Sequence, residues 1–235
     1  MSFLTAEWRR LAFANYEVDP KSLQKYLPAR TELDTYNSIH YASLVGFLFK
    51  KVRVLGVKVP YHVTFEEVNL RFYVRYKANG VWRRGVVFVK EIVPKRAIVL
   101  VANTLYHENY EKQKMSHLWK KEQDSLVTEY HWQQQSKPQS FCIESTSKSN
   151  KIIPNSENEF ITEHYWGYSK NSDSKTTQYE VTHPKWEIYD VLNYKITTDF
   201  ALNYGGEFAY LNDAKPLSVM LAEGSAITIE GKSSI

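Results

Sequence analysis

A carboxylate, an amide and a guanidinium stand at alternate positions of one apolar segment. They belong to Glu67, Asn69 and Arg71. Because successive side chains of a β-strand point to opposite faces, these three residues share one face. That face is either a solvent-exposed row of cross-strand ion pairs or the polar wall of a pocket inside a closed barrel. Lys90, on the next predicted strand, is an expected partner for it.

Motifs for metal and cofactor binding are absent from the sequence. The seven histidines form none of the short helical pairs typical of zinc sites, and one cysteine, Cys142, cannot complete a thiolate site. There is no G-x-S-x-G elbow, no P-loop and no G-x-G-x-x-G fingerprint. We therefore predict no metal and no cofactor, and we exclude serine hydrolases, nucleotide hydrolases and dinucleotide-dependent enzymes.

A basic segment from Lys112 to Lys121 carries four lysines beside His117 and Trp119. Lysines contact phosphates and an indole ring stacks on a base, so this pattern is compatible with nucleic-acid binding. A solvated loop has the same composition, and a formal net charge of +4 does not demand an anionic polymer as partner. Nucleic acid is therefore the weaker alternative, which a steep salt dependence of binding would reveal.

The composition is that of a globular, β-rich protein. Of the 235 residues, 43% are hydrophobic and 24% charged, which excludes collagen-like, coiled-coil and wholly disordered chains. The 14% aromatic content favours pleated, half-buried surfaces. Residues 1–10 contain no apolar signal region, and no stretch approaches the roughly 20 apolar residues of a membrane span. We predict one cytoplasmic domain, residues 1–235, with no membrane segment and, with a single cysteine, no intrachain disulfide.

Alternating apolar and polar residues predict antiparallel strands over most of the chain. Asn79-Gly80 between two of them is typical of a tight hairpin turn, because both residues tolerate positive φ angles. After Gly224 large apolar residues become sparse, which predicts an edge strand or a loose tail from about residue 224. The predicted strands cover residues 39–54, 64–76, 81–93, 126–132, 139–144, 159–168, 176–181, 186–192 and 216–222, with polar loops at 133–138, 145–150 and 169–175.

Two helices are predicted among the strands. The first begins at Asp19-Pro20, since Asp caps free N–H groups and Pro is tolerated in a first turn, and ends before Pro28. The second covers Ala97 to Tyr106, where apolar residues recur at helical spacing after Pro94. A strand is the alternative there, because residues 99–101 are all apolar. The predicted class is α+β and β-rich: an antiparallel barrel or sandwich with a few short helices.

Three stretches resemble the acetoacetate decarboxylase superfamily, specifically its YqjF-like branch. The first runs from Trp8 to Leu33 and includes an Asp-Pro helix start. In the second, Phe65 to Val74, Glu67 matches a glutamate of the decarboxylase pocket. The third runs from Val86 to Tyr110. The resemblance to the YqjF-like branch extends over most of the chain, including residues 218–224, whereas that to the decarboxylases proper covers mainly the first half.

This resemblance implies a barrel-like core around a small-molecule pocket, with an arginine and a glutamate near the ligand. By position the arginine is Arg9, with Arg10 as a one-residue alternative. The decarboxylases place Pro-Lys-Lys after the helix, and the first lysine forms a Schiff base. Here residues 109–111 read Asn-Tyr-Glu, and Tyr110 cannot form an imine. Lys95 is a poor substitute, because it precedes the helix instead of following it.

The sequence thus predicts a small-molecule-binding protein or a lysine-independent enzyme acting on a small carbonyl- or carboxylate-bearing ligand. Glu67 is the expected acid or base, and Tyr110 is expected to donate to an oxyanion. With an arginine nearby, we expect Glu67 to stay ionised. A non-enzymatic protein-interaction module or a homo-oligomer is the competing prediction, which clustered exposed apolar side chains would favour. The expected ligand-binding residues are Arg9, Asn69, Arg71, Lys90 and Tyr106.

Overall fold

The structure is a computed structural model that describes residues 2–235, apart from the side chain of Leu105. These residues form fourteen strands in one hydrogen-bonded sheet, which confirms the predicted β-rich class. The strands are β1 (Leu4–Glu17), β2 (Glu32–Leu33), β3 (Tyr41–Val54), β4 (Phe65–Ala78), β5 (Val81–Val93), β6 (Tyr110–Lys112), β7 (Met115–Lys121), β8 (Ser125–Gln134), β9 (Lys137–Lys151), β10 (Trp166–Lys170), β11 (Thr176–Thr182), β12 (Glu187–Thr197), β13 (Ser218–Ile229) and β14 (Ser233–Ser234).

Short helices connect the strands. The Asp19 side chain caps α1 (Pro20–Leu23) by accepting a hydrogen bond from the Lys21 N–H at 2.9 Å, as its sequence predicts. The predicted second helix is also present, as α2 (Arg96–Val101) followed by a π-helical turn, Ala102–Tyr106. The other helices are α3 (Glu157–Thr162), α4 (Phe200–Tyr204) and a 3-10 helix, Gly206–Asn212. None of the helices formed by residues 2–235 is long and apolar enough to cross a membrane.

Seven strands close into a barrel. Around it the order is β1, β3, β4, β5, β10, β11 and β13, and β13 pairs with β1 to complete the ring. The neighbours are antiparallel except β5 and β10. Strands β12, β9, β8 and β7 continue from β13 as a second layer. Closure gives each barrel strand an inner and an outer face.

The two faces build two separate apolar cores. On β4, Phe65 and Tyr73 belong to the inner core of the barrel. Val68 and Leu70 point the other way and pack with the second layer, where Trp132 is fully buried. Glu67, Asn69 and Arg71 have the same parity as Phe65 and Tyr73, so their shared face is the barrel interior and not a solvent-exposed surface.

Residues after Gly224 are not a loose tail. β13 continues to Ile229, and Gly224 lies opposite Arg9 in the pairing with β1. The end of β13 also pairs with β11, where Ile229 lies opposite Val181. Backbone hydrogen bonds to two neighbours hold the segment in the barrel, and they form whatever the size of its side chains.

Two further sequence expectations differ from the structure. Residues 145–150, expected as a loop, belong to β9 because β12 pairs with them. Residues 159–168, expected as one strand, are divided between α3 and β10. The Ser156 hydroxyl accepts a hydrogen bond from the Glu159 N–H at 3.3 Å. This N-cap starts a helix despite the alternating apolar residues that follow.

Candidate functional site

The barrel interior contains two adjoining cavities. The outer cavity, of about 250 Å³, lies between α2 and the ends of β3 and β4, and its walls are almost entirely apolar. The inner cavity, of about 60 Å³, lies deeper in the barrel, and polar groups form a larger share of its walls. The side chains that line both cavities are Phe49, Tyr110, Tyr179 and Ile229. Together the cavities form an apolar chamber with a polar inner end.

Glu67 stands at this polar end with two hydrogen-bond donors. The Asn69 amide donates to its Oε1 at 2.8 Å and the Tyr110 hydroxyl donates to its Oε2 at 3.2 Å. Burial raises the pKa of Glu67 to about 7, because these two bonds and the charge of Arg71 offset only part of the desolvation. The expectation that an arginine keeps Glu67 ionised is therefore wrong, and the residue titrates near neutral pH.

Arg71 is buried on the same face, but other groups hold its guanidinium. Its Nη2 donates to the Ile161 carbonyl at 3.1 Å, and its Cζ lies 5.1 Å and 5.6 Å from the ring centroids of Phe13 and Tyr73. Among the described residues, no ion pair joins Arg71 to a carboxylate. Arg71 lines the inner cavity without directly neutralising Glu67.

A β-bulge puts Glu91, and not Lys90, on the inner face of β5. The pairing with β4 passes from Leu70–Lys90 to Arg71–Phe88, so Val89 is an extra residue and the side-chain parity changes there. Lys90 consequently lies outside the two cavities and pairs with Glu111 at 2.8 Å. Glu91 is fully buried in the inner cavity wall, where burial and the charges of neighbouring carboxylates raise its pKa well above the usual range.

A third carboxyl group, that of Glu108, lines the outer cavity. The Tyr179 hydroxyl donates to its Oε1 at 2.9 Å. Burial raises the pKa of Glu108 to about 8, and the Glu67 charge adds to this shift. Sequence reasoning missed Glu91, Glu108 and Tyr179. The available signal was a carboxylate inside one apolar strand, Glu91, and another two residues after an apolar stretch, Glu108, and only closure of the barrel brings them together.

Gly167 sets the position of Tyr179. A Cβ atom on Gly167 would lie 2.1 Å from Cζ of Tyr179, so the ring packs directly on the glycine backbone of β10. We expect Gly167→Ala to displace this ring and destabilise the protein by about 2 kcal/mol, because the barrel interior cannot absorb an overpacked methyl group. Chemical denaturation measures the effect. Gly206→Ala is the control, since a Cβ there meets no atom within 4 Å, and equal losses in both variants would contradict the prediction.

Tyr106 and Tyr110, which the sequence predicts as site residues, both line the outer cavity. The Asn103 side chain holds the backbone of Tyr110, since its Nδ2 donates to the Tyr110 carbonyl at 2.9 Å and its Oδ1 accepts from the Tyr110 N–H at 2.7 Å. Tyr106 packs edge-on against Tyr179 with ring centroids 5.3 Å apart. The π-helical turn thus supplies both a wall of the cavity and the clamp that aims Tyr110.

Arg9 and Arg10 do not reach the cavities. A bulge in β1 follows Arg9, and Arg10 has a positive φ of 54°, so inward-facing residues change from Trp8 before the bulge to Leu11 after it. Arg9 lies on the outer face and pairs with Glu7 at 3.1 Å. Arg10 lies 3.5 Å from Glu223. The expected arginine of the pocket is therefore replaced by Trp8, which lines the inner cavity.

No lysine lines either cavity of the described structure. Lys95 is the N-cap residue of α2 and lies outside both walls. The described residues also contain no cluster of three or more His, Cys, Asp or Glu side chains suited to a metal ion. The groups available for chemistry in the cavities are carboxyls, hydroxyls, an amide, a guanidinium and imidazoles.

We expect no lysine of this protein to form a Schiff base, because the lysine position of the decarboxylases holds Tyr110. Incubation with acetoacetate or acetylacetone followed by borohydride, with intact-mass and peptide analysis, measures the adduct. We expect no adduct mass above the background of protein that was not incubated with the ketone. A stoichiometric adduct on any lysine, Lys95 included, would overturn this expectation.

The basic segment from Lys112 to Lys121 contains two groups that already have partners. The His117 Nδ1 lies 2.6 Å from Glu66 Oε1, and the Arg10 guanidinium lies 5.6 Å from the Trp119 ring. An indole covered by arginine on one face is a poorer platform for stacking a base. Nucleic-acid binding therefore stays the weaker alternative.

Comparisons with known proteins identify the family of this chain and structures of similar fold. A family model described as an uncharacterized conserved protein, DUF2071, matches residues 5–226. The uncharacterized protein YqjF of Bacillus subtilis (strain 168) is 35% identical over 104 residues, which are 44% of this chain and 41% of that protein. The match thus spans about two fifths of the length of YqjF.

Solved structures of similar fold include two enzymes. Acetoacetate decarboxylase from Legionella pneumophila subsp. pneumophila str. Philadelphia 1 has a TM-score of 0.66 at 15% identity, covering 98% of this chain and 86% of that one. The enduracididine biosynthesis enzyme MppR complexed with pyruvate has a TM-score of 0.70 at 11% identity, covering 100% of this chain and 91% of that one. The acetoacetate decarboxylase-like fold predicted from the sequence is confirmed.

Proposed function

The chain belongs to the DUF2071 family, and we propose that its barrel binds a small, largely apolar carbonyl compound and exchanges a proton next to the carbonyl group without a lysine. The apolar part of this ligand occupies the outer cavity. Its carbonyl group meets the carboxyl and hydroxyl groups where the two cavities adjoin. One protein of similar fold, MppR, was solved with pyruvate, a carbonyl compound, and this supports a carbonyl ligand.

The observation that carries the proposal is a group of carboxyls with raised pKa values at the end of an apolar chamber. The pKa of Glu108, at about 8, leaves this carboxyl mostly protonated at neutral pH, so it can donate a hydrogen bond to a carbonyl oxygen. A carboxylate ligand would add a fourth carboxyl group to Glu67, Glu91 and Glu108, and the Arg71 guanidinium beside them is already held by the Ile161 carbonyl and by two aromatic rings. Of the two predicted ligand classes, the carbonyl-bearing class is therefore favoured.

Glu67 is suited to proton transfer, because its pKa of about 7 leaves both protonation states populated at neutral pH. As a carboxylate it takes a proton from the carbon next to the carbonyl group. The C–H electron pair becomes the C=C bond of an enolate, and the carbonyl π pair moves to oxygen. Once Glu67 is protonated, the Tyr110 hydroxyl that donated to it can donate to the enolate oxygen. Glu67 then exchanges this proton with solvent, and delivery of a solvent-derived proton from Glu67 to the carbon, as the C=C pair returns to form the new C–H bond, completes the exchange.

Exchange of α-protons in D₂O tests this proposal. We expect the protein to accelerate deuterium incorporation into 2-butanone, measured by proton NMR, and Glu67→Gln to lower that rate by about 100-fold or more, since general-base groups contribute at least this factor. Glu66→Gln is the matched control: Glu66 precedes Glu67 on β4, on the opposite face, and shares a hydrogen bond with His117. Binding is followed separately by the fluorescence of the tryptophans lining the inner cavity.

Three outcomes are distinguishable. Binding with exchange that depends on Glu67 supports the full proposal. Binding without exchange removes the enzymatic part and leaves a binding protein. Absence of binding by 2-butanone and other small ketones overturns the carbonyl site altogether.

Self-association is a second candidate function, favoured by a cluster of exposed apolar side chains. Leu55, Val57 and Tyr61, in the segment after β3, are 59%, 64% and 88% exposed. Apolar clusters of this kind are typical of protein contacts. If a second copy of the chain covers this segment, sedimentation velocity will show a dimer that Val57→Ser with Tyr61→Ser converts to a monomer. A wild-type monomer at all concentrations would rule this function out.

A further inference from the structure

Five buried polar atoms on residues that line the inner cavity have no hydrogen-bond partner among the described protein groups. They are Trp8 Nε1, Asn69 Oδ1, Arg71 Nε, Glu91 Oε2 and His164 Nδ1. The four residues other than Trp8 are each less than one-tenth exposed, from 1% for Asn69 to 8% for Arg71. Buried polar atoms in proteins nearly always have partners. Five such atoms around one cavity therefore indicate a site built for a small polar group.

Asp34 fixes the imidazole of His164 from outside the cavity. The His164 Nε2 lies 3.2 Å from Asp34 Oδ2, and Arg84 Nε donates to the same oxygen at 2.6 Å. Burial raises the pKa of Asp34, but the hydrogen bonds with His164 and Arg84 outweigh this effect and lower the pKa to about 2. Asp34 is therefore a carboxylate. Because a carboxylate only accepts hydrogen bonds, the ring nitrogen that faces Asp34 must donate, and the proton of His164 is on Nε2.

The other nitrogen of His164 is then a hydrogen-bond acceptor. Burial lowers the pKa of His164 to about 4, so the ring is neutral at physiological pH. With Nε2 donating to Asp34, Nδ1 carries a lone pair and no proton. This buried lone pair belongs to a ring that lines the same cavity as Glu67.

The size and polarity of the inner cavity restrict its occupant. Its volume of about 60 Å³ admits a group of a few atoms. Asn69 Oδ1 and His164 Nδ1 accept hydrogen bonds, while Arg71 Nε donates one. An anionic group would face the lone pairs of Asn69 Oδ1 and His164 Nδ1, and a cationic group would meet the Arg71 guanidinium. A neutral hydroxyl group both donates and accepts, and so fits this set.

We propose that the inner cavity is a subsite for a hydroxyl group, with His164 as its acceptor, so that the ligand of this protein is a hydroxy carbonyl compound. The inference rests on the proposed function for the position of the carbonyl group. It adds a second polar group to the ligand and assigns a binding role to the Asp34–His164 pair, which the proton exchange at Glu67 does not use.

A pair of isosteric ketones tests the subsite. 4-Hydroxy-2-butanone and 2-pentanone differ by a hydroxyl in place of a methyl group. We expect the hydroxyketone to bind at least about tenfold more tightly, because only its hydroxyl satisfies the buried acceptors. His164→Phe should reduce this ratio to about one. His131→Phe, at a half-buried histidine of β8 that lines neither cavity, is the matched control and should leave the ratio unchanged.

Asp34→Asn separates a positioning role of Asp34 from a merely structural one. The asparagine amide can donate to Nε2, which moves the imidazole proton to Nδ1 and replaces the acceptor with a donor. In ¹⁵N NMR spectra, wild-type His164 should show a protonated Nε2 and a free Nδ1, and Asp34→Asn should show the reverse. A wild-type ring protonated at Nδ1 would overturn the proposal even if His164→Phe fails to fold.

The remaining outcomes distinguish a failure of the hydroxyl subsite from a failure of the carbonyl site. If both ketones bind equally well to the wild type, the hydroxyl subsite is refuted while the carbonyl site stands. If neither ketone binds, the proposed function fails, and ethylene glycol becomes the probe of the subsite alone. A change in the His164 Nδ1 resonance on addition of ethylene glycol would then support the subsite, and no change would overturn it.

Discussion

Glu67→Gln should stabilise the protein by about 3 kcal/mol at pH 8 and have little effect at pH 4.5. Burial raises the pKa of Glu67 from 4.5 to about 7. A carboxyl whose pKa is raised in the folded state adds stability below its unfolded pKa and loses that contribution as the pH rises through the folded value. Each pKa unit corresponds to about 1.4 kcal/mol. Glutamine keeps the shape of the Glu67 side chain but cannot ionise. The stability of the variant relative to the wild type therefore grows between pH 4.5 and 7.

Urea denaturation across this pH range, with wild type and variant compared at each pH, measures the prediction. The difference between the two proteins cancels the opposing titration of His164, whose pKa burial lowers to about 4. Glu66→Gln is the matched control. Burial raises the pKa of Glu66, but the hydrogen bond with His117 helps to outweigh this effect, and the net pKa is below its usual value. Glu66→Gln should therefore give no stabilisation at pH 8. A pH-independent effect of Glu67→Gln would show that Glu67 ionises normally.

Arg71→Met should destabilise the protein by about 3 kcal/mol, although Arg71 belongs to no ion pair within residues 2–235. The substitution leaves the Ile161 carbonyl without its donor and removes the guanidinium from the rings of Phe13 and Tyr73. A lost buried hydrogen bond costs about 1–3 kcal/mol, and a desolvated cation–π contact contributes up to about 2 kcal/mol.

A double-mutant cycle with Glu67→Gln identifies the cause of this loss. At pH 5.5 the Glu67 carboxyl is mostly protonated, so the two substitutions should add with a coupling below about 0.5 kcal/mol. A direct buried ion pair would instead give a large coupling, since removing one partner of such a pair typically costs about 3–5 kcal/mol. A coupling of that size would contradict the hydrogen-bond pattern of Arg71.

The acidic end of the chamber is maintained at a cost to stability. Glu67, Glu91 and Glu108 all have raised pKa values, with burial as the largest cause. Apolar residues of similar size would pack there without that penalty. Groups that lower stability and line a cavity are typical of sites retained for chemistry. This pattern agrees with a carbonyl site that uses protonated and ionised carboxyls together.

Local sequence signals determined the elements of this fold. The side-chain period of two placed Glu67, Asn69 and Arg71 on one face of β4. Asn79-Gly80 supplied positive φ angles of 48° and 83° for the β4–β5 hairpin, and Asp19 capped α1. These signals act between residues close in the chain, so they do not need the rest of the structure. The missing lysine at Tyr110 was likewise visible in the sequence.

Only the tertiary structure decided which side chains enter the cavity and in what charge state. One bulge at Val89 exchanged Lys90 for Glu91, and another after Arg9 turned both neighbouring arginines outward. A bulge depends on how a strand fits its partner, and one extra residue inverts every later side chain. Barrel closure then brought Glu67, Glu91 and Glu108 out of water together. Their pKa values follow from that shared desolvation, which no single segment contains.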